Sequence, residues 1–285
     1  MRYEEQKNRN ATLDAARLFW SYLIVHFHIG STGKNIAYSA LPAFIITTIY
    51  LAHSSYKNKA YSQTLKTRFD RLFLPWAAWS AVYFIEYIYI NNYDFGWMSW
   101  RMAFYGTRIH LWYLSFVFFL FVLYDTVFAA ADFFKSNAVR LLVGLMLSII
   151  LLFAVSWLPL GVPYDQWRFG LMAVFAAWAL LVLRITFSVF PSALVAVALI
   201  FIMSTSAGLK NYPISDLFAV AISVAMVAFA MNFKKINYYY ISQLGKKYSL
   251  FIFLAHSGVN DILYALNFKS EMGPNFRAIS VFTIS

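Results

Sequence analysis

Two residue types at one spacing pose the chemical question of this sequence: an arginine and, eleven residues on, a histidine. Residues 13 to 30 read "LDAARLFWSYLIVHFHIG" and hold Asp14, Arg17, His26 and His28 in an otherwise apolar run. An ionisable group in hydrocarbon is costly unless it faces protein or water, so such groups mark a site or a pathway. On a helix turning about 100° per residue, Arg17 and His28 differ by only about 20° in direction and stand about 16 Å apart along the axis. His26 points about 180° from Arg17 and reads as a contact to another helix or as an outer-interface residue. Asp14, three residues before Arg17, is spaced for a local supporting ion pair. One face thus presents a permanent cation near one end and a titratable base near the other. An arginine can hold a phosphate or polarise a carbonyl, and a histidine can take a proton near neutral pH. A snorkelling arginine and a histidine bonded to a neighbouring helix is the competing use of the same pair.

The elements that must position these residues follow from composition. The chain has 285 residues, 61% hydrophobic and 12% charged, with mean hydropathy +0.62. Soluble domains carry roughly 25% charged residues. Apolar runs lie near 13–32, 38–56, 71–91, 110–132, 138–158, 168–187, 190–208, 213–233 and 248–268. A run of about 20 residues is long enough to cross a bilayer. The expectation is an all-α fold, a polytopic transmembrane helix bundle with nine complete spans. Either a tenth span left incomplete or a surface stub is expected near Arg277, where "RAISVFTIS" stops after nine residues. A single integral-membrane domain is expected over 1–285, with 1–12 as a cytoplasmic tail and no cleaved signal. No alternating ten-residue pattern suggests a transmembrane barrel.

Lys and Arg favour the loops on the N-terminal side by roughly two to one, which predicts a cytoplasmic N-terminus in a plasma (inner) membrane. The net charge of +11 lies in short loops, above all 57–71 and 234–247. It fits anionic lipid headgroups, and no nucleic-acid partner is expected. Trp97, Trp100, Trp112 and Tyr238 to Tyr240 fall near span ends and read as interfacial belts. Absence of cysteine excludes disulfides, thiolate metal sites and a cysteine nucleophile. No metal-ligand cluster, glycine-rich nucleotide loop or hydrolase elbow appears, so no metal is expected.

The opening helix resembles that of the acyltransferase-3 family, integral membrane acyltransferases whose first span carries a basic residue, ten residues, then a histidine. Arg17 and His28 meet that pattern, with Leu13-Asp14 as the leading pair. "LPAFIITTIY" (41–50) is similar to the family's second span, although Thr47-Thr48 stand where the family has Ser-Gly. "TRFDRLFLPWAAW" (67–79), "HLWYLSFVFFLFVLY" (110–124) and "LGKKYSLFIFLAHSGVND" (244–261) resemble three later segments, in the family's order. The resemblance implies transfer of an acetyl group from cytoplasmic acetyl-CoA to a sugar hydroxyl of a bacterial surface glycan or lipid-linked saccharide. Under it, His28 is the general base, and Arg17 binds or polarises the donor. Lys66, Arg68 and Arg71 face the cytoplasm as candidates for the coenzyme A phosphates, a role that the resemblance strengthens for the two arginines.

Further candidates come from the residues themselves. Glu86 lies at the depth of His28 in its own span and is a candidate to orient that ring, or equally to pair with another polar group or line water. His256, with Asn260 one turn on along the same face, suits acceptor binding or support of a neighbouring catalytic group, or else a satisfied contact between helices. His110 and Trp112 read as a pair at the outer mouth, either binding acceptor or anchoring the interface. Asp125 and Asp261 receive no role. The competing function is a transporter or flippase for a saccharide or lipid, with the intramembrane charges as its pathway.

Overall fold

The computed structural model describes residues 11–30, 33–55, 61–90, 99–129, 136–158, 161, 163–205, 214–232, 239–265 and 274–285. Residues 1–10 of the expected tail, and Lys57, Lys59, Trp97, Lys234, Lys235 and Tyr238, lie outside the described residues. Among the described residues every regular element is helical. In chain order these are α1 (Ala11–Ile29), α2 (Lys34–Ala37), α3 (Ala40–Ser55), α4 (Tyr61–Arg68), α5 (Leu74–Ile90), α6 (Met102–Tyr105), α7 (Trp112–Ala129), α8 (Asn137–Ser156), α9 (Tyr164–Leu183), α10 (Val189–Thr205), α11 (Ile214–Asn232), α12 (Tyr239–Ala265) and α13 (Pro274–Ile284). A π turn, Phe69–Phe73, joins α4 to α5, and a 3-10 turn, Ile109–Leu111, leads into α7.

Each of the nine apolar runs falls on one of these helices. Four helical stretches, Ile109–Ala129, Asn137–Ser156, Tyr164–Leu183 and Ile214–Asn232, are long and apolar enough to cross a membrane. Ala40–His53 and Val189–Ile202 are equally apolar but shorter. Polar residues dilute the other long runs: four ionisable groups in α1, and the opening "YYISQLGKK" in α12. The run that begins near Arg277 forms α13, which packs against α1.

Local chemistry explains several boundaries. Gly30, with φ of +72°, ends α1, and its N–H reaches back to the Phe27 carbonyl at 3.1 Å. That left-handed position is the one glycine fills at least cost. Pro75 lacks an N–H and crowds the carbonyl four residues earlier, so the helix before it widens. The widening is the π turn, where the Leu74 N–H bonds to the Phe69 carbonyl, five residues back.

The helices form two compact units, each made of separated stretches of chain: Met1–Thr48 with Thr186–Ile202 and Tyr212–Ser285, and Ile49–Ile185 with Met203–Asn211. In the first unit α1 packs most extensively on α12. Val25 and Ile29 of α1 meet Ile252 of α12 and Ala278 and Val281 of α13 in a buried cluster. Gly245 lies so close to α1 that a Cβ there would overlap the Asp14 carbonyl oxygen. Ser249, one turn on, accepts through its carbonyl a hydrogen bond from the Ser21 hydroxyl at 3.0 Å. The Gly-x-x-x-Ser stripe thus lets two backbones touch, as small residues four apart do where helices meet in lipid. In the second unit every residue from Arg168 to Leu181 in α9 is buried, as its near-continuous apolar sequence requires. Gly144 of α8 abuts the Trp178 ring of α9, and the Tyr124 hydroxyl of α7 donates to the Gly144 carbonyl at 3.1 Å.

The α1–α12 contact yields a prediction. Gly245→Val must push the helices apart, at a cost of at least about 1–3 kcal/mol. Thermal unfolding in detergent should show a clear fall in Tm, whereas Leu244→Val, on an exposed side chain, should change it little.

Candidate functional site

The first unit brings together the residues that spacing alone linked only along one helix. Asp14 is buried, 1% exposed, and its carboxylate lies 3.7 Å from the Arg17 guanidinium. Arg17 also sits over the Phe44 ring of α3, 5.7 Å from its centroid. The expected support of Arg17 by Asp14 is therefore present, and Phe44 is a second support that sequence spacing had no means of indicating. The Ser21 hydroxyl, 2.9 Å from the Arg17 carbonyl and 3.0 Å from that of Ser249, shares its one proton between a bond within α1 and a bond to α12.

At the other end of the same face, His28 is exposed, and the His256 ring lies against it with centroids 4.9 Å apart and planes at 37°. His256 is 1% exposed. Its Nδ1 is 2.6 Å from the Phe253 carbonyl. A carbonyl only accepts, so Nδ1 carries the proton and Nε2 is the acceptor nitrogen. An accessible imidazole thus stands in front of a buried one whose tautomer is set by its own helix. His26, expected to point away, packs its ring against Tyr22 at 5.8 Å. Asn260 and Asp261 are half-buried on α12, one turn beyond His256.

The contacts down α1 and α12 run in step: Asp14 with Gly245, Ser21 with Ser249, His28 with His256. Partners that rise together in number define parallel helices. α13 runs the other way along α1, since Arg277 donates to the Ile29 carbonyl at 3.0 Å and Phe282 meets Tyr22 at 5.3 Å. Arg277 thereby serves a carbonyl at the C-terminal end of the helix that carries His28. Sequence reasoning gave Arg277 only a place at the start of a short run.

The second unit holds the remaining candidates. Of the uses expected for Glu86, the pairing with another polar group is present: its carboxylate lies 3.6 Å from Arg108, and the Arg108 guanidinium also lies 5.7 Å from the rings of both Tyr83 and Tyr87. The ring beside His28 is that of His256. His110 and Trp112, expected at an outer mouth, are buried: His110 meets the Tyr83 ring edge-on at 5.1 Å, and Trp112 packs against Phe116 at 5.5 Å. Trp112 is therefore not part of an exposed aromatic belt, while Trp100 and Tyr240 are exposed. The 3-10 turn Ile109–Leu111, with His110 and Leu111 buried, leads directly into α7 at Trp112.

Among the three basic candidates, Lys66 and Arg71 are exposed and Arg68 is half-buried. The π turn between Arg68 and Arg71 adds a residue to the repeat and turns them in different directions. Arg68 faces α7, with Nε 3.4 Å from the Asp125 carboxylate and the guanidinium 4.1 Å from the Phe121 ring centroid. Burial, with the Arg71 charge nearby, pushes Arg68 down to about 10, which leaves it cationic at neutral pH. Asp125, which had no role from sequence, is thus explained by its partner.

Among the described residues no three His, Asp or Glu side chains converge as a metal ion would require. Comparison with protein-family models, with curated proteins and with solved structures gives no match to this chain. The class that the fold defines is an all-helical protein with several helices long and apolar enough to span a membrane.

The Glu86–Arg108 pair is about one-quarter exposed on each side. A double-mutant cycle with Glu86→Gln and Arg108→Gln, read by thermal unfolding, should give a coupling of about 1 kcal/mol or less. A much larger coupling would show a pair shielded from solvent and would revise this geometry.

Proposed function

We propose that this chain is a membrane-bound O-acyltransferase that moves acetyl from cytoplasmic acetyl-CoA to a sugar hydroxyl of a surface or lipid-linked glycan. In this reading nine helices cross a plasma (inner) membrane with the N-terminus in the cytoplasm. The parallel course of α1 and α12 supports that topology, because the first and ninth of nine spans must run in the same direction. The opposite course of α13 fits a tenth segment that starts on the far side.

The observation that carries the reading is the meeting of His28 and His256. Their numbers differ by 228, they belong to the first and last of the five resembling segments, and their rings are in contact. An imidazole exposed on one side and backed by a neutral ring on the other suits a general base. His28 takes the proton from the acceptor hydroxyl as the oxygen bonds to the thioester carbonyl carbon. The carbon–sulfur bond breaks, and the coenzyme A thiolate leaves with the proton that His28 returns. A fixed acceptor nitrogen on His256 stabilises the imidazolium that forms between those steps.

Distance decides the role of Arg17. Eleven residues of helix separate it from His28 by about 16 Å, too far to polarise the carbonyl on which His28 acts. Arg17 instead binds a remote part of the long donor. Lys66, Arg68 and Arg71, within the second unit, are candidates for phosphate binding. Asn260 contributes to acceptor binding.

Membranes containing the chain are given acetyl-labelled coenzyme A, and label in the glycan is counted. His28→Ala should lower the transfer rate by about 10²–10⁴-fold while the amount and Tm of the protein are kept. Wild-type transfer in that variant would sink the assignment of the base. Intact saccharide crossing the membrane with no label moved would replace this reading with the transporter.

A further inference from the structure

We propose that Asp125 and Phe121 of α7 are positioning residues for Arg68, aiming its guanidinium at a phosphate of the acyl donor; the proposal rests on the acyl-transfer reading for the identity of that ligand. Three observations in the second unit carry it. The Asp125 side chain is 1% exposed, and a carboxylate so withdrawn from water needs a cationic partner or hydrogen bonds. Arg68 supplies that partner through Nε, at 3.4 Å. A contact through Nε, with the guanidinium carbon 4.1 Å from the Phe121 ring centroid, restrains the group from two sides and so limits the directions in which its Nη nitrogens project.

The third observation concerns the scaffold. The Tyr61 and Thr126 hydroxyls are 2.9 Å apart, so α4 is tied to α7 two turns before Arg68 as well as at Arg68 itself. Thr126 adjoins Asp125, so one turn of α7 holds both ends of α4. Immediately after Arg68 the helix widens into the π turn, and Arg71 emerges exposed. A planar group locked at its Nε edge and stacked on a ring is the arrangement that prepares an arginine for a planar, two-point contact with a phosphate.

The test is binding of coenzyme A to the purified full-length chain in detergent, by calorimetry, with Tm measured beside it. Asp125→Asn should raise the Kd about tenfold, since orientation and one charge-assisted contact are lost, and Asp125→Glu should recover part of it. Phe121→Leu, which keeps the charge pair and removes the ring, should raise the Kd by a smaller factor. A lower Tm with unchanged Kd in Asp125→Asn would make the pair merely structural and overturn the proposal. If Asp125→Asn does not fold, Phe121→Leu decides on the same terms. Wild-type chain that does not bind coenzyme A also overturns it. Wild-type chain that binds coenzyme A but transfers no acetyl would sink the acyl-transfer reading while leaving this one standing on the Kd of the variants.

Discussion

The rest of the first unit depends on the contact between the backbones of α1 and α12 at Asp14 and Gly245. α1 carries four ionisable side chains in an apolar run, and helices in lipid gain nothing from excluding water from one another. What holds such a helix is close packing and hydrogen bonds made at short range. Gly245 permits the approach, Ser21 bridges to Ser249 one turn further, and the Val25–Ile252 cluster fills the next. Only because the helices are clamped along that length do the two histidines, three turns beyond Gly245, come ring to ring.

The second unit meets the same constraint by pairing. Arg68 takes Asp125, Arg108 takes Glu86, and the buried Arg168 takes Asp165 at 3.1 Å. Arg168 also donates to the Val155 carbonyl at 3.2 Å and to that of Leu158. Those carbonyls sit at the end of α8, where the helix leaves its last acceptors without internal donors and where positive charge is favoured. These charges are thus assigned to specific partners, and where a partner is itself withdrawn from water, as with Asp125, the pair restrains a direction as well as a charge.

Much of this was legible in the sequence because it follows from periodicity. Helical spacing put Arg17 and His28 on one face, set His26 apart and paired Asp14 with Arg17; the Asp14–Arg17 pair is present in the structure, and His28 meets His256 of α12. The positions of the nine apolar runs match nine helices, because a run of apolar residues between polar breaks reads directly as a helix. Equal depth within a span, the basis for linking Glu86 to His28, is a weaker signal than spacing, since it says nothing of which helices adjoin. Glu86 takes the other use open to it, a polar pairing, with Arg108. His110 and Trp112 differ from expectation for a related reason. Nearness to a span end suggests an interface, but whether a residue there is buried depends on what packs around it.

By itself the sequence determined the helical class, the run boundaries and the face that Arg17 shares with His28, for these depend only on residue type and on the rise and turn of a helix. Tertiary structure alone decided the partners: His256 for His28, Asp125 for Arg68, Arg108 for Glu86, and Arg277 for the end of α1. The physical reason is that choice of partner depends on which helices pack together and how closely. That is set by features as small as the missing Cβ of Gly245 and the missing N–H of Pro75, whose consequences appear only when a second helix or a preceding turn is present to meet them.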